Sequence, residues 1–279
     1  MKKNLMIIIF ITFFIFAYSM NGYIYEVVSG DSIIKISNKT GIDIQILIHY
    51  NQELAFQKYL SIGQKIFIPE KNALVYQVKK GDNLIKISRN FFTTAEIISE
   101  YNNLNDLNSI NVGQKLLIPH DYVGSCYNTN LDMGWPVIGY ISSPYGMRFH
   151  PILKVNRFHS GLDIANSMNT PIFSVVDGFI TEVGYDKNGY GIYVRIKAED
   201  KIFMYAHLNS VNVVPGIKVK QGNLIGKMGT TGLSTGPHLH FQVENFKGET
   251  YDPLKYLGNM NATYDIKMFD AFKVHMGGE

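Results

Sequence analysis

Two histidines separated by one residue lie near the C-terminal end of the chain, within residues 235–244. From His238 onward polar and apolar residues alternate strictly, which predicts a half-buried β-strand. Because side chains at positions i and i+2 share a strand face, His238 and His240 should point together into a cleft or into solvent. Such a pair suggests a metal site or a proton-transfer site, although two inert surface histidines give the same pattern. The spacing does not say which histidine would bind a metal.

A second polar pair, His159 and Asp163, stands upstream. The four-residue spacing would place both on one strand face, and Gly161 between them argues against a helix. His207 lies in a third strand-like segment. A His/His/carboxylate set on tetrahedral zinc leaves one position open for water, as in hydrolytic sites. Zinc lowers the pKa of that water to about 7, and further imidazoles can serve as general base and oxyanion donor.

The segment that must position these residues, residues 134–257, is typical of a mostly antiparallel β fold. Short apolar runs are separated by glycines, and Asn188-Gly189 is a hairpin signal. The glycines between positions 216 and 236 could suggest a phosphate-binding loop. However, no Gly-Lys-Ser/Thr occurs there and no helix begins, so we predict turns between short strands.

An internal repeat occupies the N-terminal half, in units at residues 23–69 and 74–119. Each unit predicts a strand, two helices and a second strand. A unit of ~45 residues has little room for an enzyme cleft, which favours a binding module. The predicted fold class is therefore α+β and multidomain, with two small βααβ modules followed by a mostly antiparallel β catalytic domain.

Helix starts within the repeats are predicted from capping residues. Asp31 and Asp82 are expected to cap the first helix of each unit. The second helices are expected to begin near Asp43 and Thr94, with a capping box running from Thr93 to the glutamate three residues later.

The first 19 residues resemble a secretory signal: Lys2 and Lys3, an apolar run over residues 5–18 and a small-x-small end. The run is short for a membrane span, so we expect an exported mature chain without a stable span, an uncleaved anchor being the alternative. Residues 120–133 read as a polar linker and 258–279 as a tail. The single cysteine, Cys126, cannot form an internal disulfide, and we interpret it as a stray thiol.

Charge argues against a nucleic-acid partner. The formal net charge is +3 at pH 7, and it includes the two lysines of the predicted signal segment. No basic run occurs elsewhere, so neither electrostatic footprint nor motif indicates binding to nucleic acid.

The repeats resemble the lysin motif (LysM). Both carry Tyr-x-Val-x-x-Gly-Asp at the first strand and turn, then Tyr-Asn, then Gly-Gln-Lys-x-x-Ile-Pro. The resemblance implies a ligand that contains N-acetylglucosamine, chiefly peptidoglycan or chitin. It also implies contacts in the Gly-Asp loops, although these residues could merely shape a turn and cap a helix. The candidate glycan contacts are Gly30, Asp31, Ser32, Gly81, Asp82 and Asn83.

The C-terminal domain resembles the lysostaphin-type (LytM-like) zinc endopeptidases of bacterial cell walls, through residues 143–151, 159–163, 205–208 and 232–241. The resemblance implies functional roles for seven residues. They are His159, Asp163 and His240 as zinc ligands, His207 and His238 as the catalytic pair, and Arg148 and His150 in a substrate-side or structural role.

We therefore expect an exported peptidoglycan hydrolase of the periplasm or cell wall, in which LysM repeats hold a zinc endopeptidase on its substrate. The alternative is a peptidoglycan-binding regulator or amidase activator with little cleavage of its own.

Overall fold

The computed structural model describes residues 21–57, 59–107, 110–122, 134–149 and 154–257. These residues form two compact units, described separately below. One holds the two repeats together with Val211–Val214, and the other holds the rest of the C-terminal part. The predicted signal segment, Cys126, His150 and the predicted tail lie outside the described residues. No helix in the described ranges has the length and apolar character needed to cross a bilayer.

Each repeat folds as the predicted strand, helix, helix and strand. The two strands of each repeat pair antiparallel, with Tyr25 opposite Ile66 in the first repeat and Tyr76 opposite Leu116 in the second. The elements are β1 (Gly22–Glu26), α1 (Ile33–Thr40), α2 (Ile44–Tyr50), β2 (Lys65–Pro69), β3 (Ala73–Gln77), α3 (Leu84–Asn90), α4 (Ala95–Tyr101) and β4 (Lys115–Pro119). Short 3-10 helices follow at Gln52–Phe56 and at His120–Tyr122, the latter within the predicted linker.

The first helix of each repeat begins one residue later than the capping prediction placed it. The N-caps are Ser32 and Asn83, whose side-chain oxygens accept hydrogen bonds from backbone N–H groups of the first turn. The prediction that Asp31 and Asp82 are the caps is therefore wrong. Their carboxylates instead turn back toward the preceding strand.

The second helices begin where predicted, and their N-caps are Asp43 and Thr94. The capping box expected from Thr93 is wrong, because Thr94 is the N-cap and Glu96 then falls one position too early for the reciprocal bond. Within the described part of the chain, the Thr93 hydroxyl is buried without a hydrogen-bond partner.

The second unit is a largely antiparallel β domain, as predicted. Its main sheet runs in the order β13-β10-β11-β12-β15-β8-β5, with β14, β9 and β16 attached at its sides and β6 paired with β7 apart from it. The strands are β5 (Tyr140–Ser143), β6 (Gly146–Phe149), β7 (Asn156–His159), β8 (Leu162–Ala165), β9 (Pro171–Phe173), β10 (Gly178–Asp186), β11 (Gly191–Ala198), β12 (Lys201–Val211), β13 (Lys218–Val219), β14 (Leu224–Met228), β15 (His238–Asn245) and β16 (Thr250–Tyr251).

Strand β15 lies inside the sheet and is buried on both faces. It pairs with β12 on one side and with β8 on the other. Its apolar face is fully buried, as the alternation predicts, but His240, Gln242 and Glu244 on the polar face are also buried. The prediction of a half-buried strand is therefore wrong, because hydrogen-bonded polar groups cover the second face.

His159 and Asp163 do not share one strand. His159 ends β7, the chain bends at residues 160–161, and Asp163 lies in β8. A Cβ atom added to Gly161 would come within 2.7 Å of the His240 imidazole, so this position has room only for glycine. The predicted proximity of His159 and Asp163 is found, but it results from the bend and not from strand periodicity.

The glycine-rich region forms turns, as predicted. Gly216, Gly222 and Gly232 have positive φ angles in the connections around β13 and β14, and no helix begins there. The Asn188-Gly189 signal is confirmed, since it lies in the connection of the β10–β11 hairpin.

Candidate metal centre

Three side chains on neighbouring strands meet at one point. The Nδ1 atom of His240 lies 2.9 Å from Oδ1 of Asp163 and 3.0 Å from Nε2 of His159. The third side of this triangle, from His159 Nε2 to Asp163 Oδ1, measures 3.1 Å. Register explains part of it, because Asp163 and His240 are directly opposite each other in the β8–β15 pair. Among the described residues this is the group of histidines and acids spaced to hold a metal ion.

A backbone carbonyl determines which ring nitrogen of His159 carries a proton. Its Nδ1 lies 2.8 Å from the carbonyl oxygen of Pro144, which can only accept, so Nδ1 carries the proton. A neutral His159 therefore presents its Nε2 lone pair to the Asp163 carboxylate. Two acceptors at this separation in a buried site need a cation or an additional proton between them.

The donor set fits zinc. Ligand atoms about 2.0–2.1 Å from a tetrahedral zinc are roughly 3.3 Å apart, and the three sides of the triangle fall slightly below that value. His/His/carboxylate is also the ligand chemistry that zinc accepts in hydrolytic sites.

Asp163 is ionised in this setting. Burial acts to raise the pKa of its carboxyl group, but the imidazoles of His159 and His240 outweigh burial and hold the pKa far below its ordinary value. Arg148 adds a cation from the other side, with its Nη2 3.4 Å from Asp163 Oδ2. Arg148 thus lies at the site, whereas His150 lies outside the described residues.

A β-bulge brings His207 to the same place. Ala206 pairs with His240, so regular alternation along β12 would send His207 to the opposite face. The β11–β12 register shifts beside it, and His207 has a left-handed backbone with φ of 61°. Its ring centroid consequently lies 4.6 Å from that of His238 and 5.9 Å from that of His240.

His207 and His238 are also oriented by backbone carbonyls. His207 Nδ1 donates to the Thr231 carbonyl at 2.8 Å, and His238 Nδ1 donates to the Gly236 carbonyl at 2.9 Å. In the neutral form of either ring, Nε2 therefore carries the lone pair. Burial, followed by the neighbouring His238 ring, lowers the pKa of His207 to about 4. His207 is neutral at pH 7.

The structure separates the two histidines of β15. His238 Nε2 is 3.7 Å from Asp163 Oδ1, farther than His240 Nδ1 at 2.9 Å. His238 is also the more exposed of the two side chains, at 15% against 6%. The geometry favours His240 for the metal and leaves His238 beside it.

Sequence reasoning missed the residues that surround His240. Ser160 Oγ, Tyr190 Oη and His240 Nε2 all lie within hydrogen-bond distance of Gln242 Oε1, at 2.7, 3.3 and 3.3 Å. The alternation that singled out His238 and His240 also marked Gln242 and Glu244 as polar positions, so the signal was present.

The candidate glycan residues of the repeats use their side chains internally. Asp31 accepts from Tyr25 Oη at 2.8 Å, and Asp82 accepts from Tyr76 Oη at 2.6 Å. The side chains of Ser32 and Asn83 cap helices. Gly30 and Gly81, at φ values of 87° and 84°, have open space where a Cβ atom would be. Part of the loop backbone is also engaged, since the Gly30 carbonyl accepts from Lys35 Nζ at 2.7 Å.

An antiparallel sheet that carries a buried His/Asp/His set beside two further imidazoles has the features of a metallopeptidase. The chain belongs to peptidase family M23, whose model matches residues 157–253, and it carries two LysM domains at residues 25–69 and 76–119. Zinc is the metal of this family and the one that the His159, Asp163 and His240 set fits.

Three relatives illustrate the similarity. "DD-carboxypeptidase/endopeptidase Mpg" of Neisseria meningitidis serogroup B is 43% identical over 115 residues, 41% of this chain and 26% of that protein. "Glycyl-glycine endopeptidase ALE-1" of Staphylococcus capitis is 36% identical over 118 residues, 40% of this chain and 33% of that protein. "Uncharacterized lipoprotein YgeR" of Escherichia coli K12 is 30% identical over 204 residues, 66% of this chain and 80% of that protein. This chain thus spans about a quarter of Mpg and a third of ALE-1.

Proposed function

We propose that this protein is an exported peptidoglycan hydrolase, a zinc endopeptidase that cuts peptide stems or cross-links and is held on the glycan by its LysM repeats. The observation that carries the proposal is the triangle of His159, Asp163 and His240, with sides of 2.9–3.1 Å. The imidazoles of His207 and His238 lie beside it. The similarity to two proteins named as endopeptidases supports the reaction class.

His159, Asp163 and His240 are the proposed zinc ligands, through Nε2, Oδ1 and Nδ1 respectively. Zinc, when bound, supplies a Lewis acid that polarises the scissile carbonyl and makes hydroxide available near neutral pH. The ionised Asp163 offsets part of the metal charge, and Arg148 on its other oxygen keeps that carboxylate oriented. A substrate-side role for Arg148 and any role for His150 remain predictions.

His207 is the proposed general base. Its neutral imidazole holds a proton on Nδ1, fixed by the Thr231 carbonyl, and presents the Nε2 lone pair to the site. It can therefore accept the proton of the attacking water and pass it to the leaving amine. His238, anchored to the Gly236 carbonyl, is the proposed donor to the developing oxyanion once its Nε2 is protonated.

The LysM repeats are proposed to bind the glycan strand through the Gly30–Ser32 and Gly81–Asn83 loops. Gly30, Ser32, Gly81 and Asn83 are exposed, so a glycan has access to both loops. Export to the periplasm or cell wall follows from such a substrate. The signal-like first 19 residues and the similarity to a protein named as a lipoprotein support it.

The alternative is a peptidoglycan-binding regulator or amidase activator. Such a protein needs the fold but not an intact metal site, and here all three donors and both flanking imidazoles are in place. This observation favours the enzyme.

Digestion of purified peptidoglycan by the full chain tests the proposal. We expect turbidity to fall with zinc, to stay constant with chelator, and to fall again after zinc is restored. Mass spectrometry should detect new amine and carboxyl ends. New reducing sugar ends without new amines would refute the peptidase, and intact peptidoglycan at full zinc occupancy would favour the regulator.

A further inference from the structure

His240 differs from the other three histidines of the site in what fixes its protonation. His159, His207 and His238 each have one nitrogen on a backbone carbonyl, which accepts only. In the described part of the chain, the partner of His240 Nε2 is the Oε1 atom of Gln242, at 3.3 Å. A side-chain amide can present either oxygen or N–H₂, so Gln242 does not by itself determine where the His240 proton lies.

The opposite end of the Gln242 amide resolves this ambiguity. Its second terminal atom lies 2.6 Å from Oε2 of Glu244, and a carboxylate accepts only. That atom must therefore be the nitrogen, which turns Oε1 toward His240. The other carboxylate oxygen of Glu244, Oε1, accepts from Arg195 Nη2 at 2.7 Å. Gln242 and Glu244 are buried, so water does not compete for these bonds.

His240, Gln242, Glu244 and Arg195 thus form a directed row of hydrogen bonds, called here the polar row. Arg195 only donates and Glu244 only accepts, so each later bond has one possible direction. At the end of the row, His240 must donate from Nε2, and its Nδ1 keeps a lone pair directed at Asp163 and His159.

The competing tautomer is unfavourable for metal binding. With its proton on Nδ1, His240 would donate to Asp163 Oδ1 at 2.9 Å, which is an attractive hydrogen bond in the metal-free protein. That proton would occupy the position that the metal needs, and it would have to move before binding. A group that stabilises the Nε2–H tautomer therefore strengthens metal binding.

We propose that Gln242 is a positioning residue that holds His240 in the tautomer with a free Nδ1, and that Glu244 and Arg195 set the direction of its hydrogen bond. The inference rests on the proposed role of His240 as a metal ligand. Glu244 and Arg195 then influence zinc affinity without touching any ligand.

Three variants of the full chain test the direction of the polar row. Gln242→Met removes the acceptor while keeping a side chain of similar length. In Glu244→Gln, an oxygen turned to Arg195 leaves an N–H₂ facing Gln242, which should reverse the Gln242 amide. The double variant Gln242→Glu/Glu244→Gln moves the carboxylate from position 244 to position 242. It thereby restores an acceptor toward His240 and another toward the new amide at position 244.

Zinc affinity, measured by competition with a chelator, is the first readout. We expect both single variants to bind zinc about 10–100-fold more weakly than the wild type, the usual range for losing a partner of a ligand histidine. The double variant should recover most of that loss. Recovery separates direction from mere packing, because the double variant changes both buried positions and yet restores the direction of the hydrogen bonds.

The second readout is the His240 Nε2–H proton resonance of the zinc-loaded chain labelled with ¹⁵N-histidine. Burial should protect this proton from exchange in the wild type and in the double variant, and it should become exchangeable in Gln242→Met. Unchanged affinity and an unchanged resonance in both single variants would overturn the proposal, as would a double variant no better than Glu244→Gln. A wild-type chain without stoichiometric zinc would instead refute the proposed function.

Discussion

The repeats and the metal centre both contain short polar motifs, but the hydrogen-bond partners of the motif residues differ between them. In the second repeat, Asp82 accepts from Tyr76 Oη at 2.6 Å and from the Lys79 N–H at 2.8 Å, so the motif residues satisfy one another. In the metal centre, each imidazole uses one nitrogen on the protein and leaves the other toward a shared space, as His159 does with Pro144. In this chain, the polar motif whose groups bond to one another stabilises the fold, whereas the one that directs nitrogens toward a shared space can bind a metal.

The Tyr-Asn pair of the repeats supports this distinction. Asn51 donates to the carbonyls of Leu47 and Phe67 and accepts from the Phe67 N–H, so its amide joins helix α2 to strand β2. Asn102 makes the same bonds in the second repeat. The recognisable motif of the repeats is therefore largely the network that holds each small module together.

The largest effect should come from removing a metal ligand. We expect His159→Ala, Asp163→Ala or His240→Ala to lose zinc and peptidoglycan hydrolysis together, because each removes one of three protein donors. Metal analysis and turbidity assays on the same samples measure both. A zinc content that is lost in His238→Ala and retained in His240→Ala would reverse the roles of the two β15 histidines.

A smaller loss should follow from removing an imidazole that keeps its Nε2 free. His207→Ala and His238→Ala should retain nearly stoichiometric zinc while the hydrolysis rate falls by roughly 100-fold or more, the order expected for a general base or an oxyanion donor. Rates at matched zinc occupancy make the comparison. Activity close to that of the wild type would mean that these residues have a structural and not a catalytic role.

Deletion of residues 25–119 should separate binding from chemistry. Two weak sites on one chain gain from effective concentration, so we expect pelleting with peptidoglycan to weaken by roughly tenfold or more. Cleavage of a small soluble peptide should change by less than about twofold. An equal loss in both assays would mean that the repeats support the catalytic fold.

The smallest effect concerns a single motif residue of a repeat. Asp82→Ala removes the hydrogen bonds that its carboxylate accepts from the Tyr76 hydroxyl and the Lys79 N–H, which should destabilise the second repeat by about 1–3 kcal/mol. Tyr76→Phe removes one of these bonds and should cost about 1 kcal/mol. Hydrogen exchange at the α3 amides of the full chain gives a local measurement. Lost glycan binding with unchanged exchange would mean that Asp82 contacts the ligand directly.

The sequence alone predicted the secondary-structure elements and their order well. The strand, helix, helix and strand pattern of the repeats, the antiparallel sheet and the hairpin at Asn188-Gly189 follow from local patterns that the structure preserves. The set of His159, Asp163 and His240 was also predicted, through a family resemblance, because its spacing along the chain is characteristic even though its geometry is not local.

The differences from the predictions arise where a residue bonds or pairs outside the local pattern that was read. His207 reaches the site through a bulge, where the pairing of β12 with β11 shifts register between Ile192 and Val194, and no local pattern reveals this shift. The burial of the polar face of β15 depends on Arg195, which lies two strands away in the sheet. The helix caps lie one residue later than predicted because Asp31 and Asp82 each accept a hydrogen bond from a tyrosine of the preceding strand.

The left-handed backbone of His207 also affects how an inactive protein should be made. At a φ of 61° a β-branched residue is strained, whereas asparagine adopts this conformation far more readily. His207→Asn should therefore preserve the bulge while removing the imidazole, and His207→Val should distort the strand as well. A protein made in this way could hold an uncut cell-wall fragment in place, and would suit the capture of a bound substrate for crystallography.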